Sequence, residues 1–173
     1  MNSKFQSSFT LLEILVYIGV FSIVMGVLIS FIIWVTHSNI KAQEIRETSD
    51  NAREVLETMV YEIKTAKSVY IPTSTSTQLS LETLNYLPEG ESFTYIDFFL
   101  CGTQICFKKE SQIPVALTSD KVEIKDLNFT LIGNVTSTPS VQIALKADYK
   151  NPQNRPEYQA SVNVTTTASL RSY

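Results

Sequence analysis

One stretch near the N-terminus limits the possible fold of this chain more than any other feature. Residues 14–35 contain no charged side chain. As a helix this stretch is about 33 Å long, enough to cross a hydrocarbon core of about 30 Å. A secretory signal peptide has a shorter apolar region, of about 7–15 residues, followed by small residues at a cleavage site. A buried core helix is seldom apolar on every face over about six turns. The sequence therefore predicts one membrane-spanning helix.

The charges before this stretch predict its orientation. Residues 1–8 carry Lys4 as their single charged side chain. The positive-inside rule then places the N-terminus in the cytoplasm. Large domains are translocated largely regardless of their charge, so we expect the C-terminal part to be extracytoplasmic.

The helix is expected to continue beyond the membrane, because residues 36–68 contain neither Pro nor Gly. Charged residues lie on one face: Glu44, Glu47, Asp50, Arg53, Glu54, Glu57, Glu62 and Lys64. Apolar residues recur every three or four positions on the other face, which we expect to pack on the protein's own sheet: Ala52, Val55, Leu56, Met59, Val60, Ile63 and Ala66. The predicted helix runs from about Thr10 to Ser68 and ends before Pro72.

The second half of the chain has the two-residue period of half-buried strands. Apolar residues alternate with polar ones in three segments, near residues 127–131, 141–149 and 158–164. Residues 93–107 are more evenly apolar and are expected to supply central strands. These patterns predict an α+β fold, in which the amphipathic half of the long helix packs on an antiparallel sheet.

The N-terminal residues carry a resemblance to a known family. The segment Ser8-Phe9-Thr10-Leu11-Leu12-Glu13-Ile14-Leu15-Val16 resembles the N-terminal signature of type IV prepilins and of the pseudopilins of type II secretion. In that family a short basic leader precedes a Phe, a carboxylate follows four residues later, and an apolar helix continues. The resemblance implies a pilin-like fold with four segments: a leader at 1–8, a transmembrane filament-core helix at 9–36, its amphipathic continuation at 37–72 and a β domain at 73–173.

The same resemblance implies roles for three residues. Prepilin peptidase would cleave between Ser8 and Phe9, and Phe9 would be N-methylated. A carboxylate within a span costs up to about 2.5–3.5 kcal/mol at its centre and less near its ends, so Glu13 calls for a partner. In the family that partner is the N-terminal amine of the neighbouring subunit, here the α-amine of Phe9. The implied partners are other pilin or pseudopilin subunits, the peptidase, the inner-membrane assembly platform and the lipid bilayer.

Looser similarities indicate a subgroup. Residues 56–66 look like the helix end of the J-type pseudopilins and W-type minor pilins, and residues 165–171 look like the close of those chains. Glu13 argues against the K-type tip pseudopilin, which lacks that carboxylate. We therefore expect a structural minor subunit in the envelope filament of a pilus, type II secretion or DNA-uptake system. Ser8 stands where the family usually has Gly, which leaves an alternative: an extracytoplasmic binding module on an uncleaved single-pass anchor.

The two cysteines, Cys101 and Cys106, flank residues 102–105. A four-residue hairpin loop would place them opposite each other, and an exported domain favours a disulfide. A turn made by residues 102–103 alone would put them out of register and favour two buried thiols. A zinc site needs more ligands than these cysteines and the single His37 supply. We predict no metal, cofactor or enzymatic activity, and the net charge of −3 without basic clusters predicts no nucleic-acid partner.

Overall fold

The structure, a computed structural model, describes residues 10–133 and 139–171. These residues form one long helix followed by strands that build two sheets. The helix, α1, is Leu11–Thr65. The strands are β1 (Ser68–Val69), β2 (Gln78–Thr83), β3 (Thr94–Cys101), β4 (Gln104–Lys109), β5 (Val115–Ala116), β6 (Val122–Ile132), β7 (Ser140–Tyr149) and β8 (Ser161–Ser169), with a short 3₁₀ helix at Pro156–Tyr158. The predicted α+β class, with a long helix and antiparallel strands, is confirmed.

The chain divides into two compact units, Met1–Ile40 and Lys41–Tyr173. In the first unit, α1 is long and apolar enough to cross a membrane: its most apolar stretch has a mean hydropathy of 2.6 and is not buried by the rest of the chain. Large apolar side chains along it are exposed on every face, from Leu11 to Trp34. A helix of this kind is stable where lipid or other helices cover it.

In the second unit α1 ends earlier than predicted. The last helical residue is Thr65 rather than Ser68. The reason is pairing with the sheet, since the Lys67 N–H donates to the carbonyl of Glu82 at 2.8 Å. Strand β1 then pairs antiparallel with β2, with Ser68 opposite Glu82. The chain therefore leaves the helix to form a sheet edge before it reaches Pro72.

The apolar stripe of α1 lies in the core of the second unit as predicted, except that Val60 is only partly buried. The stripe contributes Ala52, Val55, Leu56, Met59, Ile63 and Ala66 to one cluster with residues of both sheets. Among its largest fully buried members are Phe98 of β3 and Ile143 of β7. At about 1.5–3 kcal/mol for each large apolar side chain, this burial holds helix and sheets together.

Two carboxylates contradict the predicted solvated face of α1. Glu44 is 7% exposed and Glu62 is 3% exposed. Both extend the buried stripe at helical spacing, since Glu44 lies four residues before the buried Thr48 and Glu62 three residues after Met59. Burial of a carboxylate requires hydrogen-bond partners. On the exposed face, Arg53 and Glu57 form an ion pair one helical turn apart, at 2.7 Å.

The strands form two antiparallel sheets, where the sequence predicted one. The first has the order β1-β2-β3-β4-β5 and the second β6-β7-β8. Residues 93–107 supply β3 and β4 in the interior of the first sheet, as predicted. In the second sheet a register shift between Ile124 and Asp126 keeps both Ile124 and Leu127 buried.

The alternating pattern fails at two strand ends. Leu131, near the end of β6, is 49% exposed. Tyr158 lies in the 3₁₀ helix, and β8 begins at Ser161. Pro156 explains the second difference, because its fixed φ suits the first position of a helical turn and its missing N–H does not suit a strand.

Candidate functional site

Thr10 caps the start of α1. Its carbonyl accepts from the N–H groups of Glu13 and Ile14 at 3.1 and 3.3 Å. Its hydroxyl oxygen also accepts from the Glu13 N–H, at 3.3 Å. This is the arrangement of an N-cap residue, which satisfies N–H groups that lack a partner at a helix start.

Glu13 lies in the first turn of α1. A negative charge there interacts favourably with the helix dipole, by about 0.3–1 kcal/mol. The spacing Thr10-x-x-Glu13 also has the form of a capping box, in which the carboxylate can reach back to the backbone at the cap. In this role Glu13 stabilises the start of its own helix, and the spacing from Thr10 to Glu13 indicates that role in the sequence.

The carboxylate of Glu13 also has a side-chain partner on its own helix. The hydroxyl of Tyr17 donates to Oε1 of Glu13 at 3.2 Å. Glu13 is half-buried although its apolar neighbours Leu11 and Leu12 are exposed. The site therefore presents one carboxylate, hydrogen-bonded along the helix, at the start of an exposed apolar surface. The contact with Tyr17 was not predicted from the sequence, although a Tyr four residues after a Glu lies on the same helix face and could have indicated it.

Ser8 and Phe9, the residues predicted to flank the cleavage site, lie outside the residues that the structure describes. Their roles, and the pairing of Glu13 with a neighbouring amine, therefore stay predictions.

Cys101 and Cys106 lie on the β3–β4 hairpin and are joined in a disulfide, with Cα atoms 5.8 Å apart. The turn is made by Gly102 and Thr103 alone, since Cys101 pairs with Gln104. Gly102 has a φ of 68°, as the first central position of a type II′ turn requires. The expectation that a two-residue turn disfavours the disulfide does not hold. The cysteines are diagonal neighbours, and the twist of paired strands brings one diagonal within bridging distance.

Each buried carboxylate of the second unit is matched with a tyrosine. The pKa of Tyr149 is raised mainly by burial and, to a smaller extent, by its interaction with Glu44. Tyr86 donates to Glu62 at 2.9 Å, and this bond is the largest cause that raises the pKa of Tyr86, to about 12. Within residues 10–133 and 139–171, no three His, Cys, Asp or Glu side chains are grouped as a metal site. The hydrogen bond of Tyr86 offsets part of the cost of burying the Glu62 carboxylate, and neither pair has the arrangement of a nucleophile and its base.

Comparison with protein families adds one match. Residues 3–29 match the prokaryotic N-terminal methylation motif. No curated protein and no solved structure matches the chain. The match covers a short part of the chain and supports a type IV pilin-like prepilin signature, in agreement with the resemblance of residues 8–16.

The fold and the motif together define a class. The chain has a pilin-like α+β layout, with a prepilin-type methylation motif at the start of a long apolar helix. The motif indicates a structural protein, and together with the apolar helix it suggests a membrane-anchored envelope protein. The match also suggests pilin subunits and a prepilin peptidase as interaction partners.

Proposed function

We propose that this chain is a structural minor subunit of a type IV pilus-like filament, of a pilus, a type II secretion system or a DNA-uptake system. The observation that carries the proposal is the match of residues 3–29 to the methylation motif, because these residues include Phe9, Glu13 and the start of the apolar helix. In this account the leader 1–8 is removed between Ser8 and Phe9, and Phe9 is methylated on its new α-amine.

Glu13 then has a specific partner. It lies at the head of a span whose large apolar side chains are exposed from Leu11 to Trp34. In hydrocarbon a carboxylate lacks the water that would otherwise solvate it. The α-amine of Phe9 on the adjacent subunit supplies an opposite charge at the same depth. The pair sets the register of neighbouring subunits, while the apolar faces of residues 9–36 pack together as the filament core.

The leader and the disulfide support a location for the subunit in the inner membrane, with most of the chain outside the cytoplasm. The subunit waits in the inner membrane with a cytoplasmic N-terminus, because Lys4 is the one charged side chain of the leader. The continuation 37–72 and the β domain 73–173 are extracytoplasmic, where an oxidising compartment accommodates the Cys101–Cys106 disulfide. An inner-membrane assembly platform moves the subunit into the filament. The similarities at 56–66 and 165–171 favour a J-type or W-type minor subunit.

The test is substitution of Glu13 in the native cells. Glu13→Ala removes the carboxylate but keeps the span apolar, so we expect normal membrane insertion and a loss of assembly. Assembly is measured as the share of subunit recovered in cross-linked species with other subunits and in the sheared filament fraction. The matched control is Glu54→Ala, the same change at an exposed position of α1.

The two results separate the proposal from its alternative. Loss of assembly in the Glu13 variant, with normal assembly of the Glu54 variant, supports a filament subunit. Normal assembly of the Glu13 variant would contradict the proposal and leave the uncleaved anchor, for which this carboxylate is dispensable.

A further inference from the structure

We infer that Tyr17 is a positioning residue for Glu13, an inference that rests on the proposed role of Glu13 in subunit pairing. The Tyr17 hydroxyl donates to Oε1 of Glu13 at 3.2 Å. This contact directs the carboxylate along its own helix and leaves Oε2 for the amine of a neighbouring subunit.

The other hydroxyl groups of the apolar helix behave differently. Those of Ser22, Ser30 and Thr36 each donate to the backbone carbonyl four residues earlier, at 2.8, 2.9 and 2.8 Å. This is the usual way in which a short hydroxyl side chain is satisfied in a helix. The phenol of Tyr17 donates to a side chain, and the side chain it meets is the one carboxylate of the span.

The position of Tyr17 also places it where a neighbouring helix would pack. Residues 13, 17, 20, 21 and 24 share one helix face, by the 3.6-residue period. Tyr17, Val20, Phe21 and Val24, with Ile18, form an exposed apolar patch on this side of the helix. Glu13 is therefore the first residue of an apolar face, and Tyr17 connects the carboxylate to that face.

The physical effect is preorganisation. Glu13 has a competing arrangement, because in a complete capping box with Thr10 its carboxylate would turn back to the backbone at the cap. The Tyr17 hydroxyl, four residues further along, instead holds the carboxylate along the helix before a neighbouring subunit binds. A side chain that is already oriented loses less rotamer freedom on binding. Tyr17 thus strengthens subunit pairing without contacting the neighbour's amine.

The test is a double-mutant cycle on the full chain in its native membrane, with Tyr17→Phe, Glu13→Ala and the double variant. Tyr17→Phe keeps the ring and removes only the hydroxyl. From measured side-chain hydrogen bonds in membranes, we expect it to weaken subunit association by about threefold to twentyfold. The association that remains in the Glu13→Ala background should be unaffected by the same change, because the hydroxyl has lost its partner.

Ser22→Ala is the matched control, since it removes a hydroxyl that donates to its own helix. It should leave association unchanged. Membrane insertion of each variant is measured in parallel, so that loss of protein is not read as loss of pairing.

The outcomes separate this inference from the proposed function. If Glu13→Ala weakens association and Tyr17→Phe has no effect, the inference is overturned and the filament role stands. If Tyr17→Phe weakens association equally with and without Glu13, Tyr17 acts through packing alone and the inference is again overturned. If Glu13→Ala has no effect on association, the proposed function fails and this inference fails with it.

Discussion

The hydroxyl of Tyr86 donates a hydrogen bond of 2.9 Å to Oε1 of Glu62, a residue buried on α1. Tyr86 has a φ of 64°, a left-handed conformation that bulky residues seldom adopt. The ammonium of Lys109 lies 3.6 Å from the centroid of the Tyr86 ring. The connection between β2 and β3 is therefore attached to the end of α1 through Tyr86 and also through Asn85, whose side-chain amide donates to the hydroxyl of Thr65 at 3.2 Å. The Tyr86 contact offsets the strain of its backbone.

The first prediction concerns this contact. Tyr86→Phe removes the donor and leaves a buried carboxylate with one partner fewer, so the free energy of unfolding should fall by about 1–3 kcal/mol. Urea unfolding of the full chain in detergent measures the change. Tyr61→Phe is the matched control, because Tyr61 lies beside Glu62 on the same helix and is 60% exposed. Equal midpoints for the two variants would show that the hydrogen bond contributes nothing.

The second prediction concerns pH. Burial raises the pKa of Glu62 above 4.5, and the hydrogen bond of Tyr86 and the charge of Lys109 offset part of that rise. The folded state then binds the proton more tightly than the unfolded state. The stability that protonated Glu62 contributes is present below pH 4.5 and is lost as the pH rises through the raised pKa.

Glu62→Gln should remove this pH-dependent contribution. The stability of the wild type relative to the variant should decline as the pH rises above 4.5 and through the raised pKa, measured by urea unfolding at a series of pH values. Glu54→Gln, an exposed change on the same helix, should leave the profile unchanged. Parallel profiles for the wild type and Glu62→Gln would mean that Glu62 titrates alike in both states.

The third prediction concerns the disulfide. The Cys101–Cys106 bridge closes a short loop, so its loss should lower the free energy of unfolding by about 2 kcal/mol. Replacing both cysteines by Ser, or reducing the wild type, should lower the urea midpoint by the same amount. Reduction should not affect the double variant. Two free thiols in protein purified under non-reducing conditions would contradict the bridge.

Much of the fold could be predicted because its signals are local. The uncharged stretch 14–35 indicates the length of helix that can span a membrane. The stripe from Ala52 to Ala66 indicates the helix face that packs in the core. The alternation in 141–149 is equally local and corresponds to β7. The division into two sheets could not be predicted, since it depends on which strand pairs with which over long separations.

The buried carboxylates show why other features of the fold could not be predicted from the sequence. The sequence predicts Glu62 to be a surface residue because its partner, Tyr86, is distant in the sequence and lies in the connection between β2 and β3. Glu44 reads the same way because its partner Tyr149 lies on β7. The candidate site, by contrast, is contiguous from Ser8 to Tyr17, so the sequence alone could indicate Glu13. The effect of Ser8 on cleavage depends on the peptidase and not on this fold.

Processing into a filament subunit is tested by the intact mass and first residue of the protein purified from its native membrane. We predict a chain that begins at Phe9 and carries one extra methyl group. A chain that still begins at Met1 would contradict this prediction and would identify the apolar helix as a permanent anchor.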